Sequence, residues 1–375
     1  MKRWLWIIGS PVALVALYVI GVLIHGTLHD WQPVGTTELT TYREADAQRL
    51  LPDTNFSVLS WNVGYGALGS EADFFIDAGH RYVDGGHMVH SPSDHVETYV
   101  RGIRSSIAST LTDFTLLQEV DSLSDRSHGR LLLAELAEAR GEAHVDFAPN
   151  YINERVPVPL FQPWRAYGQV YSGLSSMSRY AVKAAERHSL PGDFPWPDRL
   201  FQLDRCVLVQ RLRTASGRLL TLINLHLSAY DSDGSVKAAQ LEYVAHLAKA
   251  EYAAGREVVL GGDWNLVPPN FPYDRFISDP KSEFVKRALP MDYPDQGWTV
   301  VYDARLPTNR DLAAPYLRDS SFVSVIDYFV ISPGLQAVRA RTINQDFAWS
   351  DHHPVYVELA WREDEGPSVE PAPRR

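Results

Sequence analysis

The sequence predicts an α/β chain folded as one large domain, and three observations carry that expectation. From Asn55 onward, short apolar runs alternate with stretches of helical apolar spacing. No low-complexity linker divides the middle of the 375 residues. Several apolar runs also end in a residue that can handle a metal or a proton. The clearest is Val258-Val259-Leu260-Gly261-Gly262-Asp263-Trp264-Asn265, where two glycines permit a sharp exit from a buried strand and a carboxylate and a carboxamide follow. With 45% hydrophobic and 22% charged residues the chain can bury a large core. The net charge of −11, with no basic run after Arg3, argues against a broad electrostatic footprint for nucleic acid and leaves only a local basic groove open. Cys206 is the single cysteine, which excludes intrachain disulfides.

Taken in order, Lys2 and Arg3 precede an uncharged apolar run from Trp4 to Ile24, about the length a helix needs to cross a hydrocarbon core. The two early positive charges favour an amino terminus in the cytoplasm, and Leu23-Ile24-His25-Gly26-Thr27 makes a poor cleavage site. Residues 1–28 are therefore expected to be a transmembrane signal anchor and 29–54 a juxtamembrane tether, with the remainder outside the cytoplasm. Secretion after signal cleavage is the alternative. Strands are expected at Phe56–Trp61, Phe114–Glu119, Val170–Met177, Arg205–Leu212, Leu219–Leu227, Val258–Asp263, Ser324–Ile331 and Val355–Trp361. Helices are expected at Arg101–Leu111, at Leu131–Arg140 closed by Gly141, and at Val236–Tyr252 closed by Gly255. The tail, residues 362–375, is acidic and then proline-rich, a disordered composition.

Asn62, Glu119, His226, Asp263, Asn265, Asp327, Asp351 and His352 all fall near expected strand ends. Singly, each has an ordinary explanation: a turn former, a helix cap, an arginine partner or a satisfied core histidine. Turn chemistry does not explain why so many apolar strands end in the same mixture. Carboxylates with carboxamides suit a hard ion, Mg²⁺ or alternatively Mn²⁺, and the chain lacks the Cys-x-x-Cys and His-Glu-x-x-His spacings of zinc sites. Such an ion beside histidines and acids is equipment for hydrolysis at phosphorus.

The ordered set Ser60-Trp61-Asn62, Leu117-Gln118-Glu119, Tyr171-Ser172-Gly173, Ser178-Arg179, Asn224-Leu225-His226-Leu227, Gly262-Asp263-Trp264-Asn265, Ile326-Asp327-Tyr328 and Ser350-Asp351-His352-His353-Pro354 resembles the endonuclease/exonuclease/phosphatase superfamily. That group includes DNase I-like, apurinic endonuclease-like and neutral sphingomyelinase-like proteins. The resemblance runs from about Asn55 to Trp361, making 55–361 the expected catalytic domain. It implies a DNase I-like four-layer sandwich, two mixed β-sheets packed face to face with helices outside. It also implies roles. Glu119 would be the principal Mg²⁺ ligand, with Asn62 beside it and Asp351 contributing. Asp263, held by Asn265, would orient or deprotonate the attacking water. His352, oriented by Asp327, would donate to a phosphoryl oxygen or exchange a proton with water. His226 would act near the leaving group and Tyr171 would contact phosphate. Gly64 stands where some members carry a second acid.

Arg310 and, less readily because it adjoins Asp204, Arg205 are candidate phosphate clamps. The segment from Leu68 to His95 holds His80, His87, His90 and His95 without tight ligand spacing, and is expected to be an exposed loop over the rim. The proline-rich apolar stretches 156–164 and 194–197 are expected to pack in the core or rim, with a membrane interface as a second reading. The expectation is a membrane-anchored phosphodiesterase, a lipid head group or small phosphodiester being favoured. An extracytoplasmic nuclease comes second and a non-catalytic binding protein third.

Overall fold

The computed structural model describes residues 2–44, 46, 49–141, 143–192, 194–229, 231, 233–272 and 287–362, and side chains from residue 13 onward. The expected disordered tail lies outside the described residues from 363 on. In chain order the strands are β1 (Thr36–Glu38), β2 (Phe56–Asn62), β3 (Phe114–Asp121), β4 (His144–Val156), β5 (Gly168–Ser178), β6 (Ala184–Ser189), β7 (Cys206–Arg213), β8 (Leu219–His226), β9 (Arg256–Asp263), β10 (Thr299–Val301), β11 (Asn309–Arg310), β12 (Val323–Ser324), β13 (Asp327–Ile331), β14 (Leu335–Thr342) and β15 (Val355–Trp361). The α-helices are α1 (Lys2–Leu28), α2 (Ser93–Ser109), α3 (Leu132–Arg140) and α4 (Ser235–Ala253).

Apart from β11 and β12, which pair separately as a short two-stranded sheet, one large sheet runs β1-β6-β7-β8-β9-β13-β10 and a second runs β14-β15-β2-β3-β5-β4. Each contains one parallel pair, β8 with β9 and β2 with β3, among antiparallel neighbours, so both are mixed. The alternation of side chains along each strand divides the apolar residues between layers. Phe56, Val58, Phe114 and Leu116 of one sheet meet Leu220, Leu222, Val259, Phe329 and Ile331 of the other, forming the inner layer. The intervening residues face outward. Leu117, Val145 and Met177 pack under α2 and α3, while Ile223, Leu225, Val258, Leu260 and Val330 pack under α4. Helices, two sheets and a helix thus make the four layers expected. A fully buried Val, Leu or Phe contributes about 1.5–3 kcal/mol, while each buried ion in the site opposes folding by several kcal/mol of desolvation.

Polar ties cross the inner layer near its functional end. Asn224 Nδ2 donates to Leu117 O (3.1 Å) and Ser175 O (3.0 Å), and its Oδ1 accepts from Gln118 Nε2 (2.8 Å). These bonds lock β8 of one sheet to β3 and β5 of the other.

Three expectations change. The longest strand, β4, is not among the strands expected from the sequence, since Pro149 and the polar residues around it are weak strand signals; the structure accommodates Pro149 at a bulge on the sheet edge. The 68–95 segment is not a simple exposed loop. Ala72, Phe75 and Val89 are buried, His87 Nδ1 donates to Asp73 Oδ2 (2.8 Å), and His90 Nε2 donates to Tyr167 O (3.2 Å), so these histidines are spent on packing. Finally, among the described residues no helix is long and apolar enough to cross a membrane. The side chains of Trp4–Val12, the first part of the expected span, lie outside the described ones. Along the rest of α1, Leu14, Leu17, Ile20, Ile24 and Leu28 are exposed.

Asn224→Leu removes the bonds to Leu117 O and Ser175 O and the 2.8 Å bond from Gln118 Nε2, which keeps only its longer contacts to Ser60 Oγ (3.2 Å) and Leu116 O (3.4 Å), and a buried polar group that loses its partner costs about 1–3 kcal/mol. We expect a loss of at least about 2 kcal/mol in urea unfolding.

Candidate active site

The site is the polar end of the inner layer. Phe56 and Val58 on β2, Leu220 and Leu222 on β8, Val259 on β9, and Phe329 and Ile331 on β13 all face inward. Continuing each series by steps of two reaches Asn62, His226, Asp263 and Asp327, at the same end of the sandwich. Register then places them side by side: His226 pairs across from Asp263, and Asp263 from Asp327. Gly262 makes the close approach possible, because a Cβ there would lie 1.9 Å from Leu225 O.

Glu119 arrives differently. The β3–β5 register shifts between Leu117 and Val120, and Glu119 adopts φ 54°. The irregularity turns its carboxylate toward β2, where Asn62 Nδ2 donates to Glu119 Oε1 (3.1 Å) and to Asp263 Oδ2 (3.1 Å). Asp351 and His352 come from the loop before β15. Ser350 Oγ donates to Asn62 O (2.8 Å), His352 N donates to Ser350 Oγ (3.2 Å), and Trp61 Nε1 donates to His352 O (2.9 Å). Gly64 has a physical reason here: a Cβ on it would stand 2.8 Å from Asp351 Oδ1. Asp351 therefore occupies the room that an acid at position 64 would need.

Electrostatics sort the two histidines. His352 Nδ1 donates to Asp327 Oδ2 (2.8 Å), while its Nε2 lies 3.8 Å from Asp263 and 3.9 Å from Asp351. Burial opposes its charge, but Asp327, Asp351 and Asp263 prevail and hold it well above the usual histidine value. His226 Nε2 is 3.3 Å from Asp263 Oδ2 and 4.0 Å from Glu119 Oε1. Burial first, then the positive charges of Arg205, His352 and Arg126, press it well below the usual value, so it is neutral near pH 7. Burial also raises the carboxyls. Asp263 is pushed up despite His352, and Asp351 is pushed up to about 7 by burial, with Glu119 adding to the effect against His352.

Clustered buried carboxylates that resist ionisation suit a divalent cation, which would neutralise them. Asp263, Asp327 and His352 have ligand atoms within 4.8 Å of one another, but the His352–Asp327 hydrogen bond already commits two of these groups. Glu119, Asn62 and Asp351 supply the oxygen-rich set that fits a hard ion. The Glu119 side chain is 23% exposed against 2% for Asp263, so Glu119 marks the side of the cluster open to solvent.

The remaining sequence candidates sit elsewhere or act otherwise. Asn265 holds Asp263 through its main chain, N donating to Asp263 Oδ1 (2.9 Å), while its side chain donates to Leu227 O (2.9 Å). The expectation that Arg310 clamps phosphate is corrected. Its guanidinium is buried, with NH1 donating to Asp311 O and Ala314 O and NH2 to Gly69 O and Ala72 O, so no terminal N–H remains for a bidentate grip. Tyr171 lies beside Phe147, ring centroids 5.9 Å apart, and among the described residues its hydroxyl makes no hydrogen bond to the cluster.

Two supports escaped the sequence reading. Arg126 is buried, donates to both oxygens of Asp121 (3.0 and 2.7 Å), and lies 4.0 Å over the ring of Tyr65, which has φ 42°. Lys237 is buried, donates from Nζ to Asn265 O (3.0 Å), and is pushed down by burial to about 8. Its signal was present in the buried stripe Lys237, Gln240, Val244, Ala248, Glu251 at helical spacing.

This architecture and site define a two-sheet, acid-and-histidine hydrolase class, and comparison with known proteins gives the family. A sequence profile described as the Endonuclease/Exonuclease/phosphatase family matches residues 59–352. The chain belongs to that family, whose members are phosphoester hydrolases and typically depend on a divalent metal. It is 25% identical over 217 residues to the inositol phosphosphingolipids phospholipase C of Schizosaccharomyces pombe, the match covering 50% of this chain and 48% of the relative. The chain thus spans about half the length of that curated relative. Among solved structures, an endonuclease/exonuclease/phosphatase from Beutenbergia cavernae superposes with a TM-score of 0.56 at 19% identity, covering 82% of this chain and 72% of that one. ANGEL2, a 2',3'-cyclic phosphatase, superposes with a TM-score of 0.51 at 16% identity, covering 86% and 99%.

Two outcomes test the electrostatics. Asp351 has its folded value raised from 3.8 to about 7, so the stability it contributes is present at low pH and lost as pH rises toward 7. In EDTA the stability of Asp351→Asn minus that of the wild type should therefore grow between pH 4 and 7, by at most about 1.4 kcal/mol per pH unit. Urea melts at several pH values check this, and a flat difference contradicts it. Asp327→Asn removes the first anion that raises His352, so the alkaline limb of kcat/KM should move to lower pH, with kcat falling about 100-fold or more.

Proposed function

We propose that the protein is a Mg²⁺-dependent phosphodiesterase that hydrolyses a lipid phosphodiester at a membrane surface, held there by α1. The observation that carries the chemistry is the convergence of one carboxylate on two differently charged histidines. Asp263 lies 3.3 Å from neutral His226 and 3.8 Å from cationic His352. Glu119, Asn62 and Asp351 would hold the Mg²⁺, which when bound supplies positive charge to a phosphoryl oxygen. Asp263, fixed by Asn62 and by the Asn265 main chain, orients a water and draws its proton as the water oxygen attacks phosphorus. His352, kept cationic by Asp327, donates from Nε2 to a phosphoryl oxygen. His226 Nε2, 3.3 Å from Asp263 Oδ2, takes up the proton that Asp263 has drawn from the water and passes it to the departing oxygen as the P–O bond breaks, which returns His226 to its neutral form.

A lipid substrate is supported by the name of the S. pombe relative and by the apolar run of α1. Its setting supports it too. Trp196 Nε1 donates to Thr27 Oγ1 (3.3 Å) at the end of α1, and Trp196, Trp164 and Phe161 expose large aromatic surface. The full chain should release head group from vesicles containing a sphingolipid phosphodiester in Mg²⁺, with no release in EDTA. Asp263→Asn and His352→Ala should each lower the rate about 1,000-fold while unfolding cooperatively. Salt-sensitive cutting of plasmid DNA without lipid cleavage would replace this reading with a nuclease.

A further inference from the structure

The end of α1, with His25 in its last turn and His29 one residue beyond it, carries a cluster that the hydrolytic site does not use. His25 and His29 are four residues apart, share one helix face, and stack with ring centroids 4.4 Å apart. Their Nε2 atoms both point at one oxygen of Glu154 on β4, at 3.6 and 3.5 Å. We propose that His25, His29 and Glu154 form a second cation site, for a transition-metal ion of the zinc class, that fastens the end of α1 to the catalytic domain.

Three arguments support it. The first is proton accounting. His29 Nδ1 lies 2.9 Å from His25 O, and a carbonyl can only accept, so Nδ1 carries the proton. In the neutral ring Nε2 is then a lone pair facing a carboxylate, acceptor against acceptor. A cation between them resolves the conflict; so does a second proton on His29, which is the competing arrangement. Second, the supporting bond is the one metal-binding histidines use, the distal ring N–H donating to a backbone carbonyl, which fixes the tautomer and aims the other nitrogen.

The third argument is spacing. Ligand atoms held about 2.0–2.2 Å from one tetrahedral ion lie about 3.3–3.6 Å apart, and both gaps to Glu154 fall in or beside that range while being long for hydrogen bonds. Two imidazoles and one carboxylate, with water completing the shell, make a donor set for zinc rather than magnesium. The side chains are 42–60% exposed, so an ion can enter. The junction is also preformed: Gly26 packs against Phe201, where a Cβ would meet the ring at 3.2 Å, and Arg199 pairs with Asp30 at 3.5 Å. An ion here would fix the orientation of the catalytic domain relative to α1.

The test uses the full chain, stripped with EDTA and then saturated with Mg²⁺ before titration with Zn²⁺. The wild type should bind one Zn²⁺ per chain more than the His25→Ala/His29→Ala double variant. Glu154→Gln should weaken that extra ion at least tenfold. Co²⁺ should give tetrahedral visible absorption in the wild type that both variants lose. Equal Zn²⁺ stoichiometry and affinity in wild type and double variant would overturn the proposal and leave the protonated His29–Glu154 pair. Should the double variant melt lower without metal, the Glu154→Gln comparison decides alone, and an unchanged affinity there overturns the proposal too.

Discussion

The structure depends on one constraint: Asp263 is buried between a histidine and a second aspartate on adjoining strands. Register fixes His226, Asp263 and Asp327 in a row, and their inward-facing parity is that of the apolar core beneath them. A slip of one residue in β9 would turn Asp263 outward and bring an apolar neighbour into the site. The same pairing that builds the core therefore aims the chemistry. The cost is a carboxyl that burial pushes toward its neutral form, offset by the Asn62 amide, the Asn265 main chain and the His352 charge.

Around that row the fold supplies positioning devices of a second kind. Glu119 and Tyr65 both have positive φ, on either side of the Asn62–Glu119 hydrogen bond. The guanidinium of Arg126 lies on Tyr65 and grips Asp121, two residues beyond Glu119, so one buried cation braces both irregular segments. Trp61 and Ser350 do similar work for the His352 loop. Strain near the site is thereby held by packing rather than by the chemical groups themselves.

Much of this was legible in the sequence. Strands apolar on both faces, such as Leu219–His226 and Val258–Asp263, announce themselves by composition, and the ordered motifs on them gave the family and the layers. What escaped did so for physical reasons. β4 and β14 lie near or at a sheet edge, and their mixed polar faces imitate loops. Arg310 carries the same composition signal whether it grips phosphate or backbone carbonyls, and only burial distinguishes them. Arg126 and Lys237 act by stacking and by reaching a carbonyl, interactions between residues distant in sequence. The irregularity that aims Glu119 depends on pairing between β3 and β5, so neither strand shows it alone.

The most direct measurement of the central claim is calorimetric titration of Mg²⁺ into the metal-free full chain near pH 6.5, in two buffers of different ionisation enthalpy. If the buried carboxyls exist to receive a hard cation, binding must expel protons, the apparent heat must differ between buffers, and Glu119→Ala must abolish both. Binding of equal strength in Glu119→Ala, with no proton released, would contradict the account.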